Sequence, residues 1–163
     1  MRLPAPELES FIADLLRSRG ASLPQAEAAA RHMAWCEMVG RHNFGIERIA
    51  IHLKRMAMGV LDAQAQVADT VVGPSLACCD GGGGFGYHAA EHAMNRAIAM
   101  ARDTGIGIAG VRNSNFFGAG AYYANMAANA GMIDSGNAAA DTSVARQSRK
   151  NHQTTRIASS APS

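Results

Sequence analysis

Alanine content is the feature that most limits how this chain can fold. Alanine supplies 33 of the 163 residues, whereas Leu, Ile, Val and Phe together supply only 29. Few large apolar side chains bury little surface per residue, so the elements must pack closely around a thin core. The formal net charge of +2 is too small to favour an expanded chain, and we therefore expect a folded domain rather than disorder.

Charge and cysteine usage narrow the class of protein. The 15 basic and 13 acidic residues are interspersed, which disfavours a nucleic-acid-binding protein. No stretch approaches the ~18 consecutive apolar residues of a membrane helix, and Pro4 and Glu7 stand where a signal peptide has its apolar run. The adjacent Cys78 and Cys79 do not suit a disulfide framework. We predict a cytoplasmic protein with reduced thiols and with no membrane or nucleic-acid partner.

Hydrophobic periodicity divides the chain into three parts. It predicts an N-terminal helical segment over 1–60, a region of strands and helices over 61–133, and a polar, poorly ordered tail over 134–163. The tail contains only Val144 and Ile157 as large apolar residues, too few to offset the entropy of ordering it. The fold class is therefore α/β. The predicted elements are helices over 7–19, 24–39, 46–56, 87–103 and 119–130, and strands over 67–72, 76–79 and 105–111.

A histidine pair offers one possible metal site. His88 and His92 are four residues apart on a predicted helix, a spacing that can bind zinc with Glu91 as a general base. A zinc hydrolase of this kind also needs a third ligand, usually a downstream carboxylate, and no glutamate follows Glu91. We therefore predict no metal site and retain a zinc hydrolase only as a remote alternative.

Three polar loops could carry chemistry, and each also has a structural explanation. The glycine-rich stretch over 80–86 lacks the lysine of a phosphate-binding loop, and a tight turn explains it better. At the junction over 41–48, Arg48 could clamp a substrate carboxylate or could simply pair with an acidic neighbour. The loop over 113–120 follows a predicted buried strand and could hold an anion on its backbone amides, or could be an ordinary turn.

Taken in order, these motifs resemble a known family. The chain has a helical N-terminus, a G-x-x-x-x-G-x-x-R junction, a D-G-x-x-G-x-G turn and the stretch GIGIAGVRNSNFFGAGAYYANMAANAGMI. Over residues 5–133 it resembles the NAD(P)-dependent malate/L-lactate dehydrogenase family. The resemblance implies a non-Rossmann fold like that of L-sulfolactate dehydrogenase, with a mixed, largely antiparallel sheet. It also implies a homodimer that transfers hydride between NAD or NADP and a small 2-hydroxy or 2-keto acid.

The resemblance assigns roles to residues of the junction. Gly45 and Arg48 match the family, and Arg48 is then the residue that holds the substrate carboxylate. Asn43 stands at a family serine beside the substrate. Phe44 stands where the family has the histidine that acts as general acid and base. Phenylalanine cannot exchange a proton, and this position therefore predicts weak or absent turnover.

The second motif is the expected contact with the cofactor. Ser114 and Gly118 match the family, whereas Phe116 replaces a second histidine near the cofactor and the substrate. The resemblance thus predicts an oxidoreductase by descent whose two histidine positions are both phenylalanine. The alternative is a non-catalytic dimerisation or interaction module derived from that family.

Overall fold

The computed structural model describes residues 3–134 and a strand at 153–160, and it confirms the α/β class. The helices are α1 Ala5–Ser18, α2 Leu23–Met38, α3 Ile49–Ala57, α4 Gly86–Thr104 and α5 Gly120–Asn129. The strands are β1 Ala68–Gly73, β2 Leu76–Asp80, β3 Gly107–Arg112, β4 Met132–Asp134 and β5 Gln153–Ser160. Within the described ranges, no helix is both long enough and apolar enough to cross a bilayer.

The first two helices pack against each other through a contact that depends on small residues. α1 buries Ile12 and Leu16, while α2 buries alanine on several sides, including Ala26 and Ala30. Alanine has the highest helix propensity and lets a neighbouring backbone approach closely, so an alanine-rich helix can be covered without large side chains. Alanine thus provides much of the close contact between α1 and α2.

The third helix starts later than predicted. The helical pattern from Ile46 is interrupted by two short 3-10 turns, His42–Phe44 and Ile46–Arg48, and α3 begins only at Ile49. The cause is the side chain of Glu37, whose Oε1 accepts the backbone N–H of Ile46 at 2.9 Å. That carboxylate also occupies the space in which a side chain at Gly45 would stand, so a larger residue there would displace the Glu37 carboxylate.

The sheet has the strand order β1-β2-β3-β5-β4 and is mixed. Strands β2 and β3 run parallel, and the other three neighbouring pairs are antiparallel. This agrees with the mixed, largely antiparallel sheet that the resemblance implies. The parallel β2–β3 pair needs a crossover connection, and α4 provides it, so the ends of β2 and β3 lie side by side.

Helix α4 covers the sheet with a stripe of small residues. Its buried positions include Ala89, Ala93, Ala97 and Ala101, at the spacing of a single helix face. On the strand below, a side chain at Gly107 would collide with the backbone carbonyl of Ala97. Helix and strand therefore meet almost backbone to backbone, which is the thin core expected from the composition.

Part of the predicted tail belongs to the sheet. Residues 153–160 form β5, which pairs with β3 and with β4. The prediction weighed apolar side chains alone, but a strand between two others is held largely by the hydrogen bonds of its backbone. The remainder of the tail, 135–152 and 161–163, lies outside the described residues, and the prediction made for it stays a prediction.

Candidate functional site

The two motifs singled out in the sequence meet around one arginine. The guanidinium of Arg48 lies 4.8 Å from the ring centroid of Phe116 and 5.9 Å from that of Phe44. The two phenylalanine rings are nearly parallel, with centroids 6.1 Å apart. The positions at which the resemblance expects two histidines thus lie together, beside the predicted carboxylate anchor.

The junction holds Arg48 in a defined orientation. Its Nε donates to the backbone carbonyl of Asn43 at 2.7 Å. Nε faces back into the junction, and the terminal nitrogens have no hydrogen-bond partner among the described residues. A guanidinium arranged in this way can receive a carboxylate through two parallel hydrogen bonds. Asn43 takes part in this arrangement through its backbone carbonyl, which accepts from Arg48. The guanidinium of Arg48 faces the two phenylalanine rings.

A buried histidine that the sequence analysis missed lies behind Phe116. His52 is 2% exposed, and its Nε2 lies 2.9 Å from the hydroxyl of Tyr87. Burial, together with the positive charges of Arg55 and Arg48, lowers the pKa of His52 to about 4, so the ring is neutral at pH 7. Its Nδ1 is buried and makes no hydrogen bond to any described residue. The sequence signal that could have identified His52 is its spacing: it follows Ile49 by three residues and therefore lies on the buried face of α3.

The glycine-rich turn is tied to the second motif by Asp80. One carboxylate oxygen, Oδ1, accepts from the backbone N–H of Gly82 and from Nδ2 of Asn113, both at 2.9 Å. The backbone N–H of Gly83 donates to the Asn113 carbonyl at 2.6 Å. A side chain at Gly81 would meet Cβ of Ser114 at 2.7 Å. The turn is therefore tied closely to the second motif, which supports the tight-turn interpretation rather than a phosphate cradle.

Asn115 was also missed, and it holds the same loop from the other side. It is nearly buried, and its Nδ2 donates to the carbonyls of Gly83 at 2.6 Å and Gly84 at 3.1 Å. Its Oδ1 accepts from Arg55 of α3 at 2.5 Å. The loop carrying Phe116 is thereby fastened to the helix that follows Arg48.

The glycine of the second motif has a packing reason. Gly118 has φ +84°, which favours glycine, and a side chain there would collide with the ring of His32. Nε2 of His32 accepts the backbone N–H of Ala119 at 2.9 Å. Burial lowers the pKa of His32 to about 4, so the ring is neutral near pH 7 and its Nε2 can accept this hydrogen bond. Gly118 thus lets α2 approach the start of α5.

The histidine pair on α4 is not arranged as in a zinc hydrolase. Nε2 of His92 lies 2.7 Å from Oδ1 of Asp69, and Glu91 forms an ion pair with Arg31 at 2.7 Å. The glutamate that a hydrolase would use as its base is engaged by an arginine of α2.

The buried thiols are also unsuited to nucleophilic chemistry, since burial raises the pKa of Cys36 to about 11 and that of Cys79 to about 12.

Comparison with known proteins places this geometry in a family. A family model described as malate/L-lactate dehydrogenase matches residues 3–155. The malate dehydrogenase of Pyrococcus abyssi is 37% identical over 133 residues, which are 82% of this chain and 37% of that protein. The L-sulfolactate dehydrogenase of Methanocaldococcus jannaschii is 30% identical over 129 residues, or 78% of this chain and 38% of that protein.

Solved structures agree on the fold. The malate dehydrogenase of Pyrococcus horikoshii superposes with a TM-score of 0.77 at 34% identity, over 82% of this chain and 38% of that one. The sulfolactate dehydrogenase of Methanocaldococcus jannaschii gives 0.77 at 26% identity, over 86% and 42%. The chain thus spans less than two-fifths of the length of the two curated relatives named here. Both the family and the fold implied by the motifs are confirmed: the chain belongs to the malate/L-lactate dehydrogenase family.

Proposed function

We propose that this chain supplies the carboxylate anchor and part of the cofactor-facing surface of a dehydrogenase. Its substrate class is a small 2-hydroxy or 2-keto acid, and its cofactor is NAD or NADP. The observation that carries the proposal is the placement of Arg48 against Phe44 and Phe116, because it brings the two predicted motifs to one point. The names of the relatives, malate and L-sulfolactate dehydrogenases, support the same substrate class.

Arg48 would recognise the acid group that all such substrates share. The hydrogen bond from its Nε to the Asn43 carbonyl sets the plane of the guanidinium and leaves its outer edge to the ligand. The Phe116 ring covers one face of the guanidinium and attracts its positive charge through a cation–π contact, which helps to hold the guanidinium in place. Lysine, a point charge without the planar fork, would not substitute fully.

The cofactor residues predicted from the motifs fit their roles to different degrees. Ser114 is half-buried, and its hydroxyl makes a long contact of 3.4 Å with the Asn115 carbonyl, so it retains capacity to bind a ligand. Phe116 offers a flat apolar surface against which a planar ring could pack. Gly118 fits better as the residue that lets the loop pack on His32. The cofactor would supply the hydride, and these residues would only bind and orient it.

Proton transfer is the weak part of this site. Reduction of a 2-keto acid needs a proton at the carbonyl oxygen, and neither Phe44 nor Phe116 can provide one. The nearby ionisable groups His52 and Tyr87 are buried behind Phe116, and burial keeps both uncharged by lowering the pKa of His52 and raising that of Tyr87. Without a positioned acid, we propose that turnover by this chain is about 10²–10⁴-fold below that of a site that has one.

A second candidate function is a non-catalytic dimerisation module. Several large apolar side chains of the N-terminal segment are exposed, among them Met38 at 62% and Met58 at 64%. Such residues are suited to a protein partner, including a second copy of the chain. Homodimer formation and a cytoplasmic location remain predictions.

The test measures cofactor and acid binding separately. The purified chain is titrated with NADH and with NADPH while nicotinamide fluorescence is followed, and the titration is repeated with pyruvate present. We expect saturable cofactor binding and an effect of pyruvate that Arg48→Gln removes. Arg41→Gln removes an exposed arginine of the same junction, and it should change neither cofactor binding nor the effect of pyruvate. A folded chain that self-associates but binds neither nucleotide would refute the dehydrogenase proposal and support the module.

A further inference from the structure

A second group of chemically active side chains lies where β1, β2 and α4 meet. Asp69 of β1 and Cys79 of β2 are directly opposite each other in the antiparallel register. His92 of α4 reaches the same place, and its Nε2 lies 2.7 Å from Oδ1 of Asp69. One ligand atom from each of the three residues, a carboxylate oxygen, a thiol sulfur and an imidazole nitrogen, lies within 4.8 Å of the other two. None of the three takes part in the site around Arg48.

We propose that Asp69, Cys79 and His92 form a zinc-binding site that fastens the edge strand β1 to helix α4. Thiolate, imidazole and carboxylate are the ligand types that Zn²⁺ takes in proteins, at about 2.0–2.3 Å each. Ligand atoms around a tetrahedral zinc stand roughly 3–4 Å apart, and the present spacing needs only side-chain adjustments to reach that arrangement.

The surroundings support a three-ligand site with an open position. The Cys79 thiol is fully buried, whereas the side chains of Asp69 and His92 are 27% and 37% exposed. A bound ion would therefore be held from the protein interior by sulfur and would face solvent on its other side, where water completes the coordination.

Arg96 acts as the outer partner of the carboxylate. Its Nε lies 3.5 Å from Oδ2 of Asp69, while His92 faces Oδ1 of the same group. The arginine can keep Oδ2 while Oδ1 turns from the imidazole to the metal. Outer partners that orient a ligand in this way are common around zinc.

The proton balance is simple. In the metal-free protein the Cys79 thiol keeps its proton and lies opposite Asp69 across the β1–β2 pair. Zinc binding replaces the thiol proton, which leaves to solvent, and the hydrogen bond between His92 and Asp69 opens so that both side chains can bind the ion. The two negative ligands then neutralise the charge of Zn²⁺.

The test uses metal binding by the full chain, with neighbouring residues as matched controls. Zinc added to metal-free protein should bind at one ion per chain and raise the melting temperature. Cobalt(II) should give a thiolate-to-metal charge-transfer band, which Cys79→Ser abolishes and Cys78→Ser leaves intact. His92→Gln should weaken zinc binding by about tenfold or more, whereas His88→Gln, one helical turn earlier, should not change it.

Two results would overturn the proposal. The first is stoichiometric zinc binding that His92→Gln leaves unchanged. The second is the absence of both the charge-transfer band and a shift in melting temperature in folded wild-type protein. Because His92 is partly exposed, His92→Gln should still fold, and circular dichroism checks this. The zinc affinity of His92→Gln therefore decides the question even if Cys79→Ser, a change at a buried residue, does not fold. Nicotinamide binding is measured separately, so failure of the zinc site and failure of the dehydrogenase proposal are distinguishable.

Discussion

Replacing His52 by phenylalanine should change how the stability of this protein depends on pH. The imidazole lies among the aromatic rings of Phe85, Tyr87 and Phe116, with centroid distances of 5.3 to 6.3 Å. Phenylalanine fits such a site by size and character. It removes the buried, unpaired Nδ1, and it also removes the partner of the Tyr87 hydroxyl. These two effects oppose each other, so at neutral pH we expect a net change within about 1 kcal/mol.

The effect of pH follows from the pKa of His52. Its value is lowered from 6.5 in an exposed histidine to about 4 in the folded protein. As the pH falls below 6.5, the unfolded chain therefore takes up this proton before the folded one does. The contribution to stability is complete above pH 6.5 and is lost as the pH falls towards 4. A pKa difference of this size corresponds to roughly 3 kcal/mol of unfolding free energy.

The assay is urea unfolding followed by Trp35 fluorescence, at pH values from about 7.5 down to about 4.5. The difference in unfolding free energy between His52→Phe and wild type should shift in favour of the variant by about 2–3 kcal/mol over this range. Other groups that titrate are common to both proteins and largely cancel in the difference; His32 is the smallest of the influences that lower the pKa of His52. A difference that stays constant with pH would refute the reasoning.

Two further substitutions test contacts that hold the layers together. Gly118→Ala should lower the unfolding free energy by about 3 kcal/mol or more, because it combines left-handed backbone strain with a collision with His32. Gly105→Ala, which has a similar φ of +80° but no atom within 4 Å of the added carbon, should cost only about 1–2 kcal/mol, and equal losses in thermal unfolding would contradict the packing argument. Arg31→Met should cost about 1 kcal/mol and reduce the salt dependence of stability, because it removes the cation paired with Glu91 across α2 and α4. A variant as stable as wild type at low salt would show that this pair contributes nothing.

Much of the architecture could be predicted because it depends on local patterns. Helical spacing located all five helices of the described chain, and glycine and proline marked most of their ends. The start of α3 was predicted three residues too early. The backbone N–H of Ile46 donates to the side chain of Glu37, which belongs to α2, and a local pattern cannot reveal this contact. Strand β5 was missed because its backbone pairing depends on partners far away in the chain, which its own composition does not reveal.

The candidate site was predictable only where a motif marked it. Arg48, Phe44 and Phe116 were found through the family pattern, and the structure brings them together. His52 and Asn115 were missed because each works through contacts between distant segments, with Tyr87 and with Arg55 respectively. An isolated polar residue in a sequence carries no sign of whether it will be buried or which partner will satisfy it.

The near contact between α4 and β3 has a mechanical consequence. A layer of long side chains can adjust its rotamers when a helix moves, but at Gly107 the backbone of the strand lies directly under the Ala97 carbonyl. A displacement of α4 therefore cannot be absorbed locally and must carry β3 with it. Because β3 ends at Arg112, immediately before the loop that holds Phe116, the position of this helix sets the position of the aromatic ring beneath Arg48.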